Sequence, residues 1–325
     1  MKKNIAVVMG GYSSEYKISL KSGAVVCDNL DSELYSIYAV HILKNKWVLV
    51  KSENEYPIDK HDFSATVNNQ KITFDCVFNA IHGAPGEDGQ LLSYFELLGI
   101  KHTSAPSYQM AITFNKRDCL SIVKPYGIKT AASYYLNLGD AFDVDTIIKK
   151  VGLPCFVKAN KAGSSFGISK VHKKELLKEA IKNSFKEDDE IIIESFLDGT
   201  EVSVGVINYK GKTTVLPITE IVSENDFFDY EAKYKGKSQE ITPARITEAE
   251  EKSVRDVAKK AYEVLRMSGF SRSEYILIDG KPHMIEMNTV PGMTTESILP
   301  QQAQEAGISL KELFGNAVEM AMTNK

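Results

Sequence analysis

The residues best suited to chemistry lie in a strand-like segment near the C-terminus. Glu286 and Asn288 are two residues apart, so on a strand both side chains point to the same face. A carboxylate and an amide oxygen side by side are ligands that Mg²⁺ accepts when water and substrate phosphates complete its coordination shell. Pro291-Gly292 then stops the strand and exposes backbone N–H groups, and hydroxyls follow at Thr294 and Ser297. The spacing predicts one site that handles both a phosphate and a carboxylate.

A second strand precedes this segment, and the two are predicted to form a β-hairpin. Residues 275–278 and 283–286 flank a turn at 279–282 that contains an Asp-Gly pair. At the start of the first strand, Arg272 and Glu274 are again two residues apart. One face of the hairpin would therefore carry an arginine, two glutamates and an asparagine. Such a set also fits a salt-bridged surface, but the adjoining Pro-Gly segment favours a metal and phosphate site.

The composition is that of an ordinary globular protein. The chain has 325 residues, enough for two or three domains, of which 43% are hydrophobic and 25% charged. A net charge of −4 without a Lys/Arg cluster argues against a nucleic-acid partner. No apolar run is long enough to cross a bilayer or to act as a signal peptide, so we expect no membrane partner. Four cysteines without a CxxC pair are typical of reduced thiols in a cytoplasmic protein.

The first predicted domain, residues 1–105, is an α/β unit. The apolar run 5–9 is typical of a buried parallel strand, and Gly10-Gly11 turns the chain into a helix that ends near residue 30. In that turn, the acid Glu15 repels phosphate and suits an amine. Further strands are predicted at 35–43, 47–50, 76–81 and 100–103, with a helix at 90–98.

A glycine-rich loop follows the strand at 76–81. Residues 82–89 contain three glycines and a proline, which make a rigid, tight loop. The loop lies at the carboxyl end of a strand, where α/β sheets bind ligands. His82 at its start fits either of two roles, a site residue or a cap of the loop.

Residues 106–189 and 190–325 are predicted to form two more units. The last unit is rich in strands and contains an amphipathic helix that opens with a capping box at Thr247 and Glu250. A second capping box, at Ser309 and Glu312, is predicted to open the final helix. The stretch 224–243 is predicted to be long, polar and without regular secondary structure, and its aromatic residues indicate a lid. The predicted helices are 107–123, 143–151, 247–268 and 309–323, and the predicted strands of the last unit are 190–197, 201–208 and 212–222.

A phosphate-binding loop is predicted in the middle unit. The strand 153–160 carries Lys158 and leads into the loop 161–168, where Ser164 and Ser165 lie between glycines. A loop of this composition can close over phosphates through its N–H groups and hydroxyls. Lys158 can reach the same anion from the strand.

Taken in order, these motifs resemble the D-alanine–D-alanine ligase family of the ATP-grasp fold. The match runs the length of the chain, although no single motif would be specific. The resemblance implies a Rossmann-like parallel-sheet domain followed by an ATP-grasp pair of α+β subdomains. The matching motifs are Gly10-Gly11-x-Ser-x-Glu15, His82-Gly-x-x-Gly-Glu-Asp-Gly89, Asn115-Lys116, Val157-Lys158…Gly163-Ser-Ser165, Glu194…Glu201, Tyr230-Glu-Ala-Lys-Tyr234 and Glu286-x-Asn288…Pro291-Gly-Met-Thr294…Ser297.

The resemblance implies an enzyme that ligates two D-alanines for peptidoglycan precursor synthesis. ATP phosphorylates the carboxylate of the first D-alanine, and the amine of the second attacks the resulting acyl phosphate. It further implies ATP and two Mg²⁺ ions, with Mn²⁺ as an alternative, and a cytoplasmic homodimer whose other partners are small molecules.

The resemblance also assigns roles residue by residue. The implied ATP-binding residues are Lys116, Lys158, Ser164, Ser165, Glu194, Ser195, Phe196, Leu197, Glu201 and Lys233. The implied metal ligands are Glu274, Glu286 and Asn288. The implied substrate-binding residues are Glu15, His82, Arg272, Gly292 and Ser297, and the implied catalytic residues are Glu15, Ser164, Tyr234 and Arg272.

Within this scheme, each implied contact has a physical purpose. Arg272 and the Gly292 N–H would steady the oxyanion of the tetrahedral intermediate. Ser164 and Tyr234 would connect the loop and the lid to Glu15, excluding water that would hydrolyse the acyl phosphate.

Four positions depart from the family pattern. Arg272-Ser273-Glu274 stands for Arg-x-Asp, Lys158-Ala159 for Lys-Pro, Thr103-Ser104-Ala105 for Thr-Gly-Ser, and Asn115 for Asp. None removes a named group, but together they keep open an ATP-grasp ligase for a different carboxylate–amine pair. A non-catalytic nucleotide-binding homologue is a third hypothesis, and the intact lysines and metal ligands argue against it.

Overall fold

The computed structural model describes residues 2–163, 167–223 and 238–323 of the chain. Within these ranges it contains three β-sheets and nine α-helices. None of the described helices is long and apolar enough to span a membrane. Four residues with predicted roles, Ser164, Ser165, Lys233 and Tyr234, lie outside the described residues, as does most of the predicted lid.

The first sheet has eight strands in the order β6-β5-β4-β3-β2-β1-β7-β8. The strands β2, β1, β7 and β8 are parallel, whereas β3 to β6 continue the sheet as antiparallel hairpins. The elements are β1 (Lys3–Gly10), α1 (Tyr16–Asn29), β2 (Tyr35–Ile42), β3 (Trp47–Lys51), β4 (Asn54–Asp59), β5 (Ser64–Val67), β6 (Gln70–Ile72), β7 (Cys76–Asn79), α2 (Gln90–Leu97) and β8 (Lys101–His102).

Burial explains why the centre of this sheet is parallel and continuous. Residues Ile5 to Val8 of β1 are fully buried, as expected for a strand covered on both faces. On one face, α1 lies so close that a Cβ at Gly23 would come within 2.7 Å of the Met9 side chain. The short hairpins β4 to β6 were not predicted, because their mixed polar sequence shows neither an apolar run nor a regular alternation.

The second sheet is a four-stranded antiparallel unit in the order β10-β13-β11-β12. Its apolar face packs on two helices and forms a core of its own. The elements are β10 (Ser133–Asn137), α5 (Val144–Val151), β11 (Cys155–Ala159), β12 (Ser169–Val171), α6 (Leu177–Ser184) and β13 (Glu190–Ser195).

The third sheet has six strands in the order β16-β15-β14-β17-β18-β9. The predicted capping box at Thr247 and Glu250 is present and opens α7. Phe314 on α9 meets Phe78 of β7 edge to face, with ring centroids 5.6 Å apart, so this unit packs on the first sheet. The elements are β9 (Lys129–Thr130), β14 (Thr200–Tyr209), β15 (Lys212–Ser223), β16 (Ser238–Ile241), α7 (Glu248–Val264), β17 (Phe270–Ile278), β18 (Lys281–Asn288), α8 (Ile298–Glu305) and α9 (Leu310–Thr323).

The single helix predicted at 107–123 is two helices, α3 (Ser107–Phe114) and α4 (Lys116–Val123). The chain breaks at Asn115, whose backbone is extended (φ −85°, ψ 103°) and whose side chain accepts the Asp118 N–H at 3.1 Å. Asn160 fixes the break, because its amide donates to Asn115 Oδ1 at 2.8 Å. The prediction of one helix was wrong, because it relied on an apolar periodicity that continues through this break.

Two further expectations need correction in the last unit. The stretch 224–243 is not structureless throughout, because β16 pairs with β15 near its end. The second predicted capping box, at Ser309, is half formed. Glu312 N–H donates to Ser309 Oγ at 3.2 Å, while the Glu312 carboxylate pairs with Lys210 at 2.9 Å. The helix α8 was not predicted.

Asn115→Ala should lower the free energy of unfolding by about 1–2 kcal/mol, because it removes the cap of α4 and the contact to Asn160. Urea unfolding would measure the loss. The control is Asn183→Ala on α6, whose side chain accepts from the exposed Lys186 Nζ at 2.8 Å, and this change should lower the free energy of unfolding by less than about 0.5 kcal/mol. Equal losses in the two variants would contradict the capping role.

Candidate active site

The β17–β18 hairpin has the predicted face. Its register pairs Arg272 with Asn288 and Glu274 with Glu286, so all four side chains lie on one side of the sheet. A two-residue turn at Asp279-Gly280 joins the strands, with both residues at positive φ, as the Asp-Gly pair favours. Arg272 is partly buried, forms an ion pair with Glu274 and donates to Ser203 Oγ at 2.8 Å.

This face opens into a cleft of about 370 Å³. The cleft is walled by the end of β18 and its following loop, the start of α1, the loop at residue 82 and the start of α4. Eight residues with predicted roles line it, namely Glu15, His82, Lys116, Arg272, Glu286, Asn288, Gly292 and Ser297.

Two partly buried lysines form ion pairs in this region. Lys116, at the first position of α4, has its Nζ 3.2 Å from Glu286 Oε2 and donates to Ala162 O at 2.8 Å. Lys158 Nζ is 3.0 Å from Glu194 Oε2. Burial alone would lower the pKa of Lys158, but the carboxylates of Glu194, Glu286 and Glu201 outweigh it and raise the pKa. The ammonium therefore stays charged, within electrostatic reach of the hairpin.

The start of the predicted phosphate loop lies against Glu15. A Cβ added at Gly163 would come within 2.8 Å of Glu15 Oε2, so a larger residue there would require the Glu15 carboxylate to shift. The loop and the turn after β1 are thus in contact, although they are far apart in the sequence.

His82 is buried, and both of its ring nitrogens are engaged within the protein. Nδ1 lies 2.8 Å from Val290 O, and Nε2 lies 3.1 Å from Ser22 Oγ. Burial lowers the pKa of His82 despite the nearby Glu15 carboxylate, which favours the neutral ring. Of the two roles left open by the sequence, the contacts favour the one that anchors the loop. Its binding of substrate stays a prediction.

Comparison with known proteins identifies the family. A family model described as D-ala D-ala ligase N-terminus matches residues 4–105, and one described as D-ala D-ala ligase C-terminus matches residues 122–319. A protein named D-alanine–D-alanine ligase from Flavobacterium johnsoniae is 67% identical over 321 residues, which cover 98% of this chain and 99% of that protein. The chain belongs to the D-alanine–D-alanine ligase family. The resemblance predicted from the motifs is confirmed.

Solved structures agree with this membership. The VanG D-Ala:D-Ser ligase from Enterococcus faecalis has a TM-score of 0.86 and 30% identity, covering 99% of this chain and 100% of that one. The D-alanine–D-alanine ligase from Bacillus anthracis, solved as a complex with ATP, has a TM-score of 0.79 and 27% identity, covering 98% and 97% of the two chains. The mixed α/β architecture with several sheets is therefore that of the family.

The ATP-binding residues implied by the family motif do not all lie in the cleft. Among the described residues, Lys158, Glu201 and the segment 194–197 are absent from its lining. Ser195 is tied to the backbone, since its hydroxyl accepts the Ala132 N–H at 3.1 Å. Their roles toward ATP stay predictions, as do those of the residues outside the described ranges.

The metal ligands implied by the family motif form an oxygen-only donor set. Glu274 and Glu286 lie opposite each other across the hairpin, with Asn288 on the same face. The described residues contain no group of three or more His, Cys, Asp or Glu side chains that could hold a metal on their own. Two carboxylates and an amide fit Mg²⁺ when phosphates and water complete the shell.

Gly292 and Ser297 meet at the far wall of the cleft. A Cβ at Gly292 would come within 2.5 Å of Ser297 Oγ, so a larger residue there would require Ser297 to shift. Ser297 Oγ also lies 2.8 Å from Thr294 Oγ1, at the start of α8. Two hydroxyls and a helix N-terminus suit a carboxylate.

Sequence reasoning missed the part played by Glu87. This buried carboxylate accepts the Gly83 N–H at 2.7 Å and the Val290 N–H at 3.2 Å, so it joins the loop at residue 82 to the end of β18. Burial and the nearby negative charge of Glu15 raise its pKa to about 7, against the opposing effect of the N–H bonds. The sequence feature that could have indicated this role is an acidic residue beside glycines in the rigid loop 82–89.

Glu87 should make the stability of the protein depend on pH. Because its pKa is raised in the folded state, the folded protein binds more protons than the unfolded chain between about pH 4.5 and 7. Glu87 therefore makes its full contribution to the free energy of unfolding below about pH 4.5. About 2–3 kcal/mol of that free energy is lost as the pH rises to 7. The unfolding free energy of wild type minus that of Glu87→Gln should therefore fall by that amount as the pH rises across this range.

The control for losing a cleft carboxylate is Glu296→Gln, because Glu296 lines the same cleft but is exposed. A difference between wild type and Glu87→Gln that is constant with pH would contradict the raised pKa of Glu87.

Proposed function

We propose that the protein joins two D-alanines to D-alanyl-D-alanine with ATP, producing a peptidoglycan precursor. The observation that carries this proposal is the cleft in which Lys116 and Glu286 meet at 3.2 Å beside Arg272 and Asn288. It occurs in a chain 67% identical to a protein named D-alanine–D-alanine ligase. Phosphate-binding cations and metal-binding oxygens in one place are what phosphoryl transfer to a carboxylate requires.

The proposal includes the ATP-grasp arrangement of domains. Residues 1–105 would be the Rossmann-like domain, and residues 106–189 and 190–325 the two halves that enclose ATP. Lys116 and Lys158 belong to the middle unit, and both ammonium groups interact electrostatically with Glu286 in the hairpin of the last unit. This contact between the two units supports the division. Glu194–Leu197 would frame the adenine, and Glu201 would bind the ribose hydroxyls. A cytoplasmic location and a homodimer are part of the same proposal.

Glu274, Glu286 and Asn288 are proposed to hold Mg²⁺, with Mn²⁺ as an alternative. Bound there, the ions would neutralise the negative charge between the phosphates. Phosphoryl transfer is accelerated most by stabilising charge at that position in the transition state. Two observations support the assignment: Glu286 and Asn288 line the cleft, and Glu274, which does not line it, lies opposite Glu286 on the same face of the hairpin and pairs with Arg272.

Glu15 is proposed to bind the ammonium of the first D-alanine, whose carboxylate oxygen attacks the γ-phosphorus of ATP and releases ADP. The amine of the second D-alanine, held through its carboxylate by Ser297, then attacks the acyl carbon. Arg272 and the Gly292 N–H stabilise the oxyanion that forms. Collapse expels phosphate, and the attacking nitrogen loses a proton to leave the peptide bond.

A different second substrate is the alternative supported by a specific observation. The structure is similar to one titled a D-Ala:D-Ser ligase, at 30% identity. D-Serine differs from D-alanine by one hydroxyl, and a pocket that merely tolerates a hydroxyl discriminates weakly against it.

Incubation with ATP, Mg²⁺ and D-alanine should release ADP in step with D-alanyl-D-alanine. Product mass and ADP release should then be compared for D-serine, D-lactate and other amino and hydroxy acids as second substrates. A preference for one of these over D-alanine would support the alternative. Absence of D-alanine-dependent ADP and dipeptide would reject the proposal, and ATP binding without turnover on any substrate would favour a regulator.

Lys158→Ala should weaken ATP binding or slow turnover about ten- to a hundred-fold, because it removes a charge-assisted contact worth roughly 1.5–3 kcal/mol. It also leaves Glu194 buried without its cation, so the assay belongs at a temperature where the variant is fully folded. Lys178→Ala, an exposed lysine of α6, is the matched control. Unchanged kinetics in folded Lys158→Ala would contradict the role of Lys158.

A further inference from the structure

A chain of hydrogen bonds behind the cleft wall holds both ends of the segment from Val290 to Met293. His82 Nδ1 bonds Val290 O at 2.8 Å, and His82 Nε2 bonds Ser22 Oγ at 3.1 Å. Ser22 Oγ in turn accepts the Met293 N–H at 3.3 Å. Ser22 lies on α1, is fully buried and does not line the cleft.

The direction of every bond in this chain follows from its ends. A carbonyl oxygen only accepts, so His82 Nδ1 carries the proton that it donates to Val290 O. The buried ring is neutral, which leaves Nε2 as an acceptor. Ser22 must therefore donate its hydroxyl proton to Nε2, and a lone pair of the same oxygen accepts the Met293 N–H. Each donor has one acceptor, and the Ser22 hydroxyl connects His82 Nε2 to the Met293 N–H.

Gly292 lies between the two anchored positions. Its N–H donates to no group among the described residues, and the residue lines the cleft. Without a side chain, Gly292 has little intrinsic conformational preference. The orientation of its N–H therefore depends on what fixes the chain on either side. Glu87, which accepts the Val290 N–H, restrains the same side as His82 and leaves Ser22 as the side-chain anchor at Met293.

We propose that Ser22 is a positioning residue for ligation: through His82 and Met293, it aims the Gly292 N–H at the oxyanion without contacting substrate. This inference rests on the proposed function, which assigns that N–H to the tetrahedral intermediate. An oxyanion donor must be pointed in advance at the place where charge develops, and removing one costs about 10²–10³ in kcat. A donor that is loosened rather than removed should cost less.

The same helix supplies a matched control. Ser19, one turn before Ser22 on α1, is also fully buried and also joins two groups through its hydroxyl. It accepts the Gly10 N–H at 2.8 Å and donates to Ala80 O at 2.7 Å, so it connects β1 to β7 rather than the cleft segment. Ser19→Ala and Ser22→Ala thus remove the same atom from equally buried positions.

Ser22→Ala should lower kcat for dipeptide formation about ten- to a hundred-fold while KM for ATP changes less than about twofold. Ser19→Ala should keep kcat within about threefold. Both should lower the melting temperature. A similar kcat loss in the two variants, or none in Ser22→Ala, would show that Ser22 is structural only and overturn the inference.

A second pair of variants guards against a folding defect in Ser22→Ala. Ser22→Thr and Ser22→Val have the same shape and differ in the hydroxyl, so kcat should be at least about tenfold higher with threonine. Equal kcat values in this pair would also overturn the inference.

Hydrogen–deuterium exchange separates this inference from the proposed function. The Met293 amide should exchange faster in Ser22→Ala than in wild type, and at the wild-type rate in Ser19→Ala. A wild-type protein that makes no dipeptide would refute the proposed function, yet the exchange rates would still decide whether Ser22 holds the segment. Unchanged exchange of Met293 in Ser22→Ala would overturn its positioning role.

Discussion

The site depends on the pairing of buried charges. Under the proposed function, phosphate-binding lysines and metal-binding carboxylates lie together, and none of them can be buried alone at tolerable cost. Each of these charges is paired in the structure, as Lys116–Glu286, Lys158–Glu194 and Arg272–Glu274. A polyphosphate with its divalent ions would offer replacement partners, Lys116 and Lys158 gaining phosphate oxygens, and Glu274 and Glu286 gaining metal. Under the proposed function, binding is thus an exchange of partners.

Backbone geometry brings these groups to one place. The hairpin register puts Glu274 opposite Glu286, and the break at Asn115 makes Lys116 the first residue of a helix. A continuous helix would carry Lys116 on a different face and away from Ala162, whose carbonyl now accepts its ammonium. Local backbone signals therefore decide where the charges lie, and the charges then stabilise that arrangement.

The sequence predicted the parts that depend on neighbours along the chain. The hairpin face, the capping box of α7 and the central strand β1 follow from spacing over a few residues. What it did not predict are contacts between distant segments. Val290 meets His82 and Glu87 from more than two hundred positions away, and Met293 meets Ser22 across a still longer separation. Such contacts leave no local pattern, so motifs gave the residue types of the site without the network that holds them.

The four departures from the family pattern bear on substrate choice less than the sequence suggested. Ser104 is buried and accepts from the Asn79 amide at 3.0 Å, and Ala159 is buried within β11. Asn115 caps a helix, a task that aspartate performs equally well.

Only the glutamate at position 274 belongs to the reacting face. There its longer arm lets the carboxylate reach the guanidinium of Arg272 on the same strand. The strand places its backbone as an aspartate would be placed, opposite Glu286, so the change alters how far the oxygens extend and not which groups they face. Under the proposed function, a shift of that kind would adjust the metal position and leave the residues around both substrates as they are. The four departures therefore favour a shifted carboxylate position at residue 274, with the proposed reaction unchanged, over a change of substrate.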